Sequence, residues 1–196
     1  WVGPHTFSTL CPTITSFPYT EDIENGGAWP SCWIQSATDD FDWSVNSGGT
    51  GSGGTGPSGA YSGTYYIYTE SSSPVTNGNV ATFYSPGFDL NSVGGPAQFT
   101  FWYHMYGLGM DPDGTISVDI STDGGVTYSN IWSMSGDQGN QWNLASIDLT
   151  SYTGTVMFRI SGQVSSSGTS YQNDFGLDLF TVEQIPACVD PSAQTV

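Results

Sequence analysis

Short runs of β-branched and aromatic residues, broken every few positions by Gly, Ser, Thr, Asn or Pro, leave this chain almost no route to helix. Tyr65-Tyr66-Ile67-Tyr68-Thr69 is one such run, and Phe99-Thr100-Phe101-Trp102-Tyr103-His104-Met105 is the strongest. Thr115 to Ser121 alternates cleanly, which places Ile116, Val118 and Ile120 on one face of a strand. Thr155 to Ile160 and Leu177 to Val182 complete the set. The pattern predicts an all-β, antiparallel fold of the sandwich or barrel kind.

The length, 196 residues, suits one sandwich domain, and 37 % hydrophobic with 14 % aromatic residues is enough for a core despite 26 glycines. No stretch approaches the roughly 18 consecutive apolar residues of a membrane helix, so membrane insertion is not expected. Trp1-Val2-Gly3-Pro4 carries neither a basic start nor an apolar run, so the expectation is a mature form or an excised fragment.

Charge narrows the chemistry. Eighteen acidic residues face a single basic one, Arg159, for a formal net charge of −17. Such a surface repels phosphates and anionic lipid, which argues against nucleic acid as a partner, and it favours bound cations. With no lysine there is no Schiff-base chemistry, no lysine grip on phosphate and no Lys–Asn isopeptide crosslink. Three cysteines, Cys11, Cys32 and Cys188, leave at least one without a partner in the chain. Cys11–Cys32 is the preferred pair, and three reduced thiols are the alternative. No Cys-x-x-Cys or Cys/His cluster suggests zinc.

Two stretches read as long polar loops, residues 46–60 and 163–173, and loops on a rigid sandwich are common seats of binding. Neither His5 nor His104 is accompanied by a Gly-x-Ser-x-Gly elbow, and His104 reads as a packed strand residue bonded to backbone. No His-Glu-x-x-His is present. Among 18 acids chance carboxylate pairs are expected, so they do not by themselves argue for glycoside hydrolysis. No enzymatic activity is expected.

A resemblance emerges when the motifs are read in order. Ile23-Glu24-Asn25-Gly26, Cys32-Trp33, Asp40-Phe41-Asp42-Trp43 and Gly56-Pro57-Ser58 come first. Ser85-Pro86, Phe101 to Gly107, Ile131-Trp132, Gly136 to Trp142 and Asn173 to Asp178 follow. In this order the central region resembles the MAM domain, an extracellular jelly-roll module of adhesion and receptor proteins. The resemblance implies a two-layer antiparallel jelly-roll β-sandwich over 12–185. The acidic residue expected near Ala60 is missing, and so is the cysteine expected at Gln98 or Phe99. The absence of Asn-x-Ser/Thr sequons suggests a bacterial-type member. The ends resemble fibronectin type III fragments, so 1–11 is expected to close an upstream domain or linker and 186–196 to open a downstream one.

The same resemblance implies a structural ion, calcium or sodium, with calcium preferred, held by Glu24, Asp40, Asp42 and Asp178. The alternative is that Asp42 and Asp178 cap turns or accept backbone hydrogen bonds, while Asp40 is solvated. Asp111-Pro112-Asp113-Gly114 reads as a turn, and Ser121 to Tyr128 resembles the Asp-box hairpin, a structural motif. Trp43, Trp102, Trp132 and Trp142 fall on family positions and are expected in the core. Tyr61 and Tyr171, in the loops, are the best candidates for a ligand face. The implied role is non-catalytic recognition or adhesion in a secreted or cell-surface multidomain protein, toward an extracellular protein or polysaccharide. A carbohydrate-binding module serving an attached enzyme and an inert spacer are the alternatives.

Overall fold

The computed structural model describes residues 11–186; His5, Cys188 and nearly all of the two end segments expected at 1–11 and 186–196 lie outside the described residues. Twelve strands form two six-stranded sheets. Sheet A runs β10 (Trp142–Asp148), β7 (Ala97–His104), β12 (Gly176–Gln184), β4 (Tyr65–Thr69) and β3 (Trp43–Ser47), with β1 (Tyr19–Glu21) also on β12. Sheet B runs β2 (Ile34–Gln35), β5 (Val80–Tyr84), β11 (Thr155–Gln163), β8 (Thr115–Ser121) and β9 (Ser129–Ser135), with β6 (Phe88–Asp89) also on β11. All strand pairs are antiparallel. The expected all-β two-layer sandwich is therefore the fold.

Aromatic side chains from both sheets make the interior. Phe99 of β7 stacks on Phe158 of β11 with ring centroids 4.3 Å apart, and Phe180 of β12 meets Phe83 of β5 at 6.1 Å. Burying each such ring contributes about 2–3 kcal/mol, so these cross-sheet pairs fix how the layers sit. Ile116, Val118 and Ile120 point inward together, as their alternation requires. Trp43 crosses from sheet A to donate its indole N–H to Ala81 O at 3.0 Å. It lies against Gly162 so closely that a Cβ there would sit 2.8 Å from the indole, which explains a glycine inside a long strand. A disulfide joins Cys11 to Cys32, the expected pair, and ties the N-terminal segment to the start of sheet B.

The turn between β8 and β9 follows its motif. Asp123 accepts from Val126 N, Thr127 N, Thr127 Oγ1 and the Ser121 hydroxyl. Gly124 and Gly125 take φ of 78° and 88°. These donors, the Thr127 hydroxyl foremost, hold the Asp123 carboxyl well below the usual range.

Candidate recognition face and cation cradle

Strand register sets the outer face of sheet A. Leu144 of β10, Trp102 of β7 and Asp178 of β12 form one row across it. Ser146, Thr100, Thr181 and Thr20 form the next, and Asp148, Gln98 and Glu183 the third. The expectation that Trp102 and Trp142 belong to the core is corrected. Phe99, Phe101 and Tyr103 take the inward positions of β7, so alternation sends Trp102 outward, and Trp142 stands opposite His104 on the same outer face.

The Gly/Ser/Thr-rich segment after β3 folds across this face. Thr50 N donates to Pro57 O at 3.3 Å and Gly56 N to Tyr106 O at 3.1 Å, while the Trp142 indole donates to Gly59 O at 3.1 Å. Thr55, Gly56 and Pro57 are buried although the composition suggested little to bury. The segment ends by laying Tyr61 flat on Trp102, centroids 3.7 Å apart and planes 13° apart. Tyr61 remains 42 % exposed, and Leu144, the register neighbour of Trp102, is 52 % exposed. These two form a small aromatic and apolar shelf bordered by the Ser/Thr row. Tyr171 is equally exposed, but it stands on the turn Ser170–Gln172 and has no aromatic partner among the described residues. The two tyrosines do not share a site by any contact described.

Beneath Tyr61 lies a pair of carboxylates. Asp178 is fully buried, and its Oδ2 accepts from Tyr61 N at 2.9 Å and Ser62 N at 3.0 Å. Its Oδ1 is buried without any hydrogen-bond partner. Burial, with a smaller contribution from Glu24, pushes the Asp178 carboxyl up to about 6 against the opposing pull of its amide donors. Glu24 Oε1 accepts from Thr64 N and Tyr65 N, both at 2.7 Å, and these amides hold its carboxyl below the usual range. Gly63 lets the chain pass, since a Cβ there would stand 2.5 Å from the Glu24 carboxyl. Two non-glycine residues with positive φ flank the pair, Ile23 at 60° and Leu179 at 53°. Leu179 falls where the β12–β7 register shifts between Asp178 and Thr181, a bulge that re-aims Asp178. Backbone strain of this kind concentrates where side chains are held for a purpose.

Glu24 and Asp178 are thus brought together; Asp40 and Asp42 are not part of that pair. Asp40 Oδ2 accepts from Val80 N at 2.8 Å, and Asp39, Asp40 and Asp42 line a shallow groove beside β5 of sheet B. Among the described residues, no three His, Cys, Asp or Glu side chains come close enough to share a metal. A buried carboxylate oxygen with no donor is nonetheless what a hard cation satisfies, so Glu24 and Asp178 fit such an ion and the other two do not join them.

The outer face of sheet B is closed on itself. Arg159 makes two bonds to Asp119 Oδ2, at 2.9 and 2.8 Å, and its guanidinium carbon lies 4.9 Å over the Tyr128 ring. Thr82 and Ser161 share a hydrogen bond of 2.9 Å. His104 is buried, and its Nε2 pairs with the Asn140 side chain at 3.2 Å rather than with backbone. Asp113, read as a simple turn residue, also ties the second loop down by accepting from Ser165 Oγ and Ser166 N.

Comparison with known proteins identifies the family and the fold. The chain is 35 % identical over 132 residues to MAM domain-containing glycosylphosphatidylinositol anchor protein 2 of Mus musculus, covering 60 % of this chain and 14 % of that protein. It is 31 % identical over 163 residues to the corresponding protein 1 of Homo sapiens, covering 78 % and 16 %. The chain thus spans about one-seventh of the length of these relatives. Among solved structures, the K2 cleaved adhesin domain of Lys-gingipain superposes with TM-score 0.60 at 18 % identity, covering 86 % of this chain and 99 % of that one. A carbohydrate-binding module of the β-sandwich superfamily superposes with TM-score 0.53 at 15 % identity, covering 83 % and 60 %. These two show a shared fold. The model of the MAM domain, meprin/A5/mu, matches residues 22–187, and this chain belongs to the MAM domain family.

Proposed function

We propose that this domain is a non-catalytic extracellular recognition module of a secreted or cell-surface protein, and that it binds its macromolecular partner on the outer face of sheet A. The observation that carries this reading is the exposed Tyr61 ring held flat on Trp102 beside exposed Leu144. A preformed aromatic platform loses little conformational freedom on binding, and aromatic anchors dominate recognition surfaces. Relatives named as anchored MAM-domain proteins support the extracellular setting.

A polysaccharide is the second reading. The hydroxyl row Ser146, Thr100, Thr181 and Thr20 lies next to the platform, and an aromatic face with a polar rim suits a sugar ring. The proposal includes a calcium ion held by Glu24 and Asp178, where it would satisfy the unpartnered Asp178 oxygen and fix the backbone that carries Tyr61.

Affinity electrophoresis of the domain against a panel of soluble polysaccharides, with calcium and with EDTA, tests the choice of partner. Retardation by one glycan class identifies a carbohydrate-binding module. Mobility unchanged by every glycan removes that reading and leaves a protein partner or an inert spacer.

A further inference from the structure

A second buried carboxylate lies under the opposite end of the same loop, outside the Glu24–Asp178 pair. Asp174 is wholly buried just before β12. Its backbone N–H donates to Thr55 Oγ1 at 3.1 Å, and its Oδ1 accepts from Ser71 N at 3.0 Å. Its Oδ2 has no partner. Leaving a carboxylate oxygen bare in a buried place costs several kcal/mol, and proteins rarely tolerate it.

The surroundings offer no protein cation. The chain has one basic residue other than histidine, Arg159, and it is bonded to Asp119 on the other sheet. Two of the groups around Asp174 carry oxygen. Glu70 is close enough for its charge to oppose ionisation of Asp174, and the Thr50 hydroxyl stands beside the carboxylate. The Thr50 hydroxyl also donates to Thr55 O at 3.1 Å, so its hydrogen is shared between that carbonyl and the Asp174 carboxylate. A cation would resolve this arrangement, since it draws several oxygens at once.

We infer that Asp174 and Glu70 hold a hard divalent cation, calcium, beneath the Gly/Ser/Thr-rich loop, separate from the ion assigned to Glu24 and Asp178. The loop is built to close over it. Gly51 passes against Glu70, where an added Cβ would lie 3.7 Å from Oε2. Gly56, at φ 64°, presses on Thr50 so closely that a Cβ would stand 2.5 Å from Oγ1. The loop carbonyls and the Thr50 hydroxyl are the source of the neutral oxygen ligands that calcium requires beyond two carboxylates. Two carboxylates on a loop frame suit a dissociation constant of about 10⁻⁴ to 10⁻³ M, the range of extracellular modules. Burial pushes the Asp174 carboxyl up to about 7, Glu70 adding to the effect, in keeping with an anion held without a counter-charge. The inference does not depend on what the sheet A face binds.

The test is calorimetric titration of CaCl₂ into the EDTA-treated, dialysed full chain, with terbium luminescence sensitised by the nearby tyrosines as a second readout. Wild type is expected to bind two equivalents. Asp174→Asn should lose one of them, and Glu70→Gln should weaken that one at least tenfold, while both keep the equivalent that Asp178→Asn removes. One equivalent that survives Asp178→Asn but not Asp174→Asn would support this site and sink the other. The inference is overturned if neither Asp174→Asn nor Glu70→Gln changes the titration, or if no calcium binds. Circular dichroism identifies a misfolded Asp174→Asn, and Glu70→Gln, at a partly exposed position, then decides the matter.

Discussion

The two outer faces of the sandwich are both polar, yet they are polar in different ways. On sheet B the groups answer one another: Arg159 with Asp119, Thr82 with Ser161, and Tyr84 against Tyr128. On sheet A a loop is drawn across the strands, and under it two buried aspartates, Asp174 and Asp178, each keep an oxygen without a partner. Beside the loop, Tyr61 and Leu144 stay exposed. Satisfied polar networks stabilise a surface and ask for nothing further, whereas unsatisfied buried oxygens and an aromatic platform mark a face with valences left open. The difference is the ground on which recognition is proposed for sheet A.

The largest effect should come from removing metal. With about a hundredfold excess of calcium over the dissociation constant, binding stabilises by about 3 kcal/mol. EDTA is then expected to lower the melting temperature by roughly 5 °C or more in scanning calorimetry. An unchanged melt would abolish the cation half of the contrast. Next, Trp102→Ala should cost about 2 kcal/mol in urea unfolding, because it removes the support of Tyr61 as well as its own packing. A loss below about 0.5 kcal/mol would mean that the platform is not built as described.

Arg159→Ala probes the other face. It leaves Asp119 mostly buried without its partner, and after allowance for the partial exposure of Arg159 a loss of about 1.5 kcal/mol is expected. Partner binding should not change, and a large binding defect here would move the recognition face to sheet B. The smallest effect concerns pH. Burial lowers the His104 pKa, with Asn140 and Asp137 opposing, so the unfolded chain takes up a proton before the folded one does. Stability should therefore fall as pH drops below about 6.5, the unfolded value, until the folded imidazole also protonates. His104→Gln should flatten that part of the melting-temperature profile, and an identical slope in wild type and variant would clear His104 of the effect.

Much of this was legible in the sequence because alternation is local. The runs Tyr65–Thr69 and Thr115–Ser121 coincide with β4 and β8. The run Phe99 to Met105 concealed its two faces, since Trp102 is as apolar as its inward neighbours and periodicity cannot separate them. The two- and three-residue strands β1, β2 and β6 carry no pattern long enough to read. Nor could composition reveal that the Gly/Ser/Thr loop docks, because it does so through backbone hydrogen bonds and the buried Thr55-Gly56-Pro57. Glu24 and Asp178 were found through their motifs. Asp174 stands in the same Asn173-to-Asp178 motif, but nothing in the spacing relates it to Glu70, which comes near only because β4 and β12 are adjacent. Asp40 and Asp42 lie beside β5 because the chain leaves β2 of sheet B and crosses to β3 of sheet A between Gln35 and Trp43, which spacing does not disclose.

The most direct test of the sheet A assignment compares two tyrosine variants in one binding assay. Tyr61→Ala and Tyr84→Ala would be measured beside wild type against the polysaccharide panel and against candidate extracellular proteins, with calcium present. Binding reduced at least tenfold by Tyr61→Ala and left intact by Tyr84→Ala is the expected result. Binding retained by Tyr61→Ala and lost by Tyr84→Ala would contradict the assignment and place recognition on the opposite face.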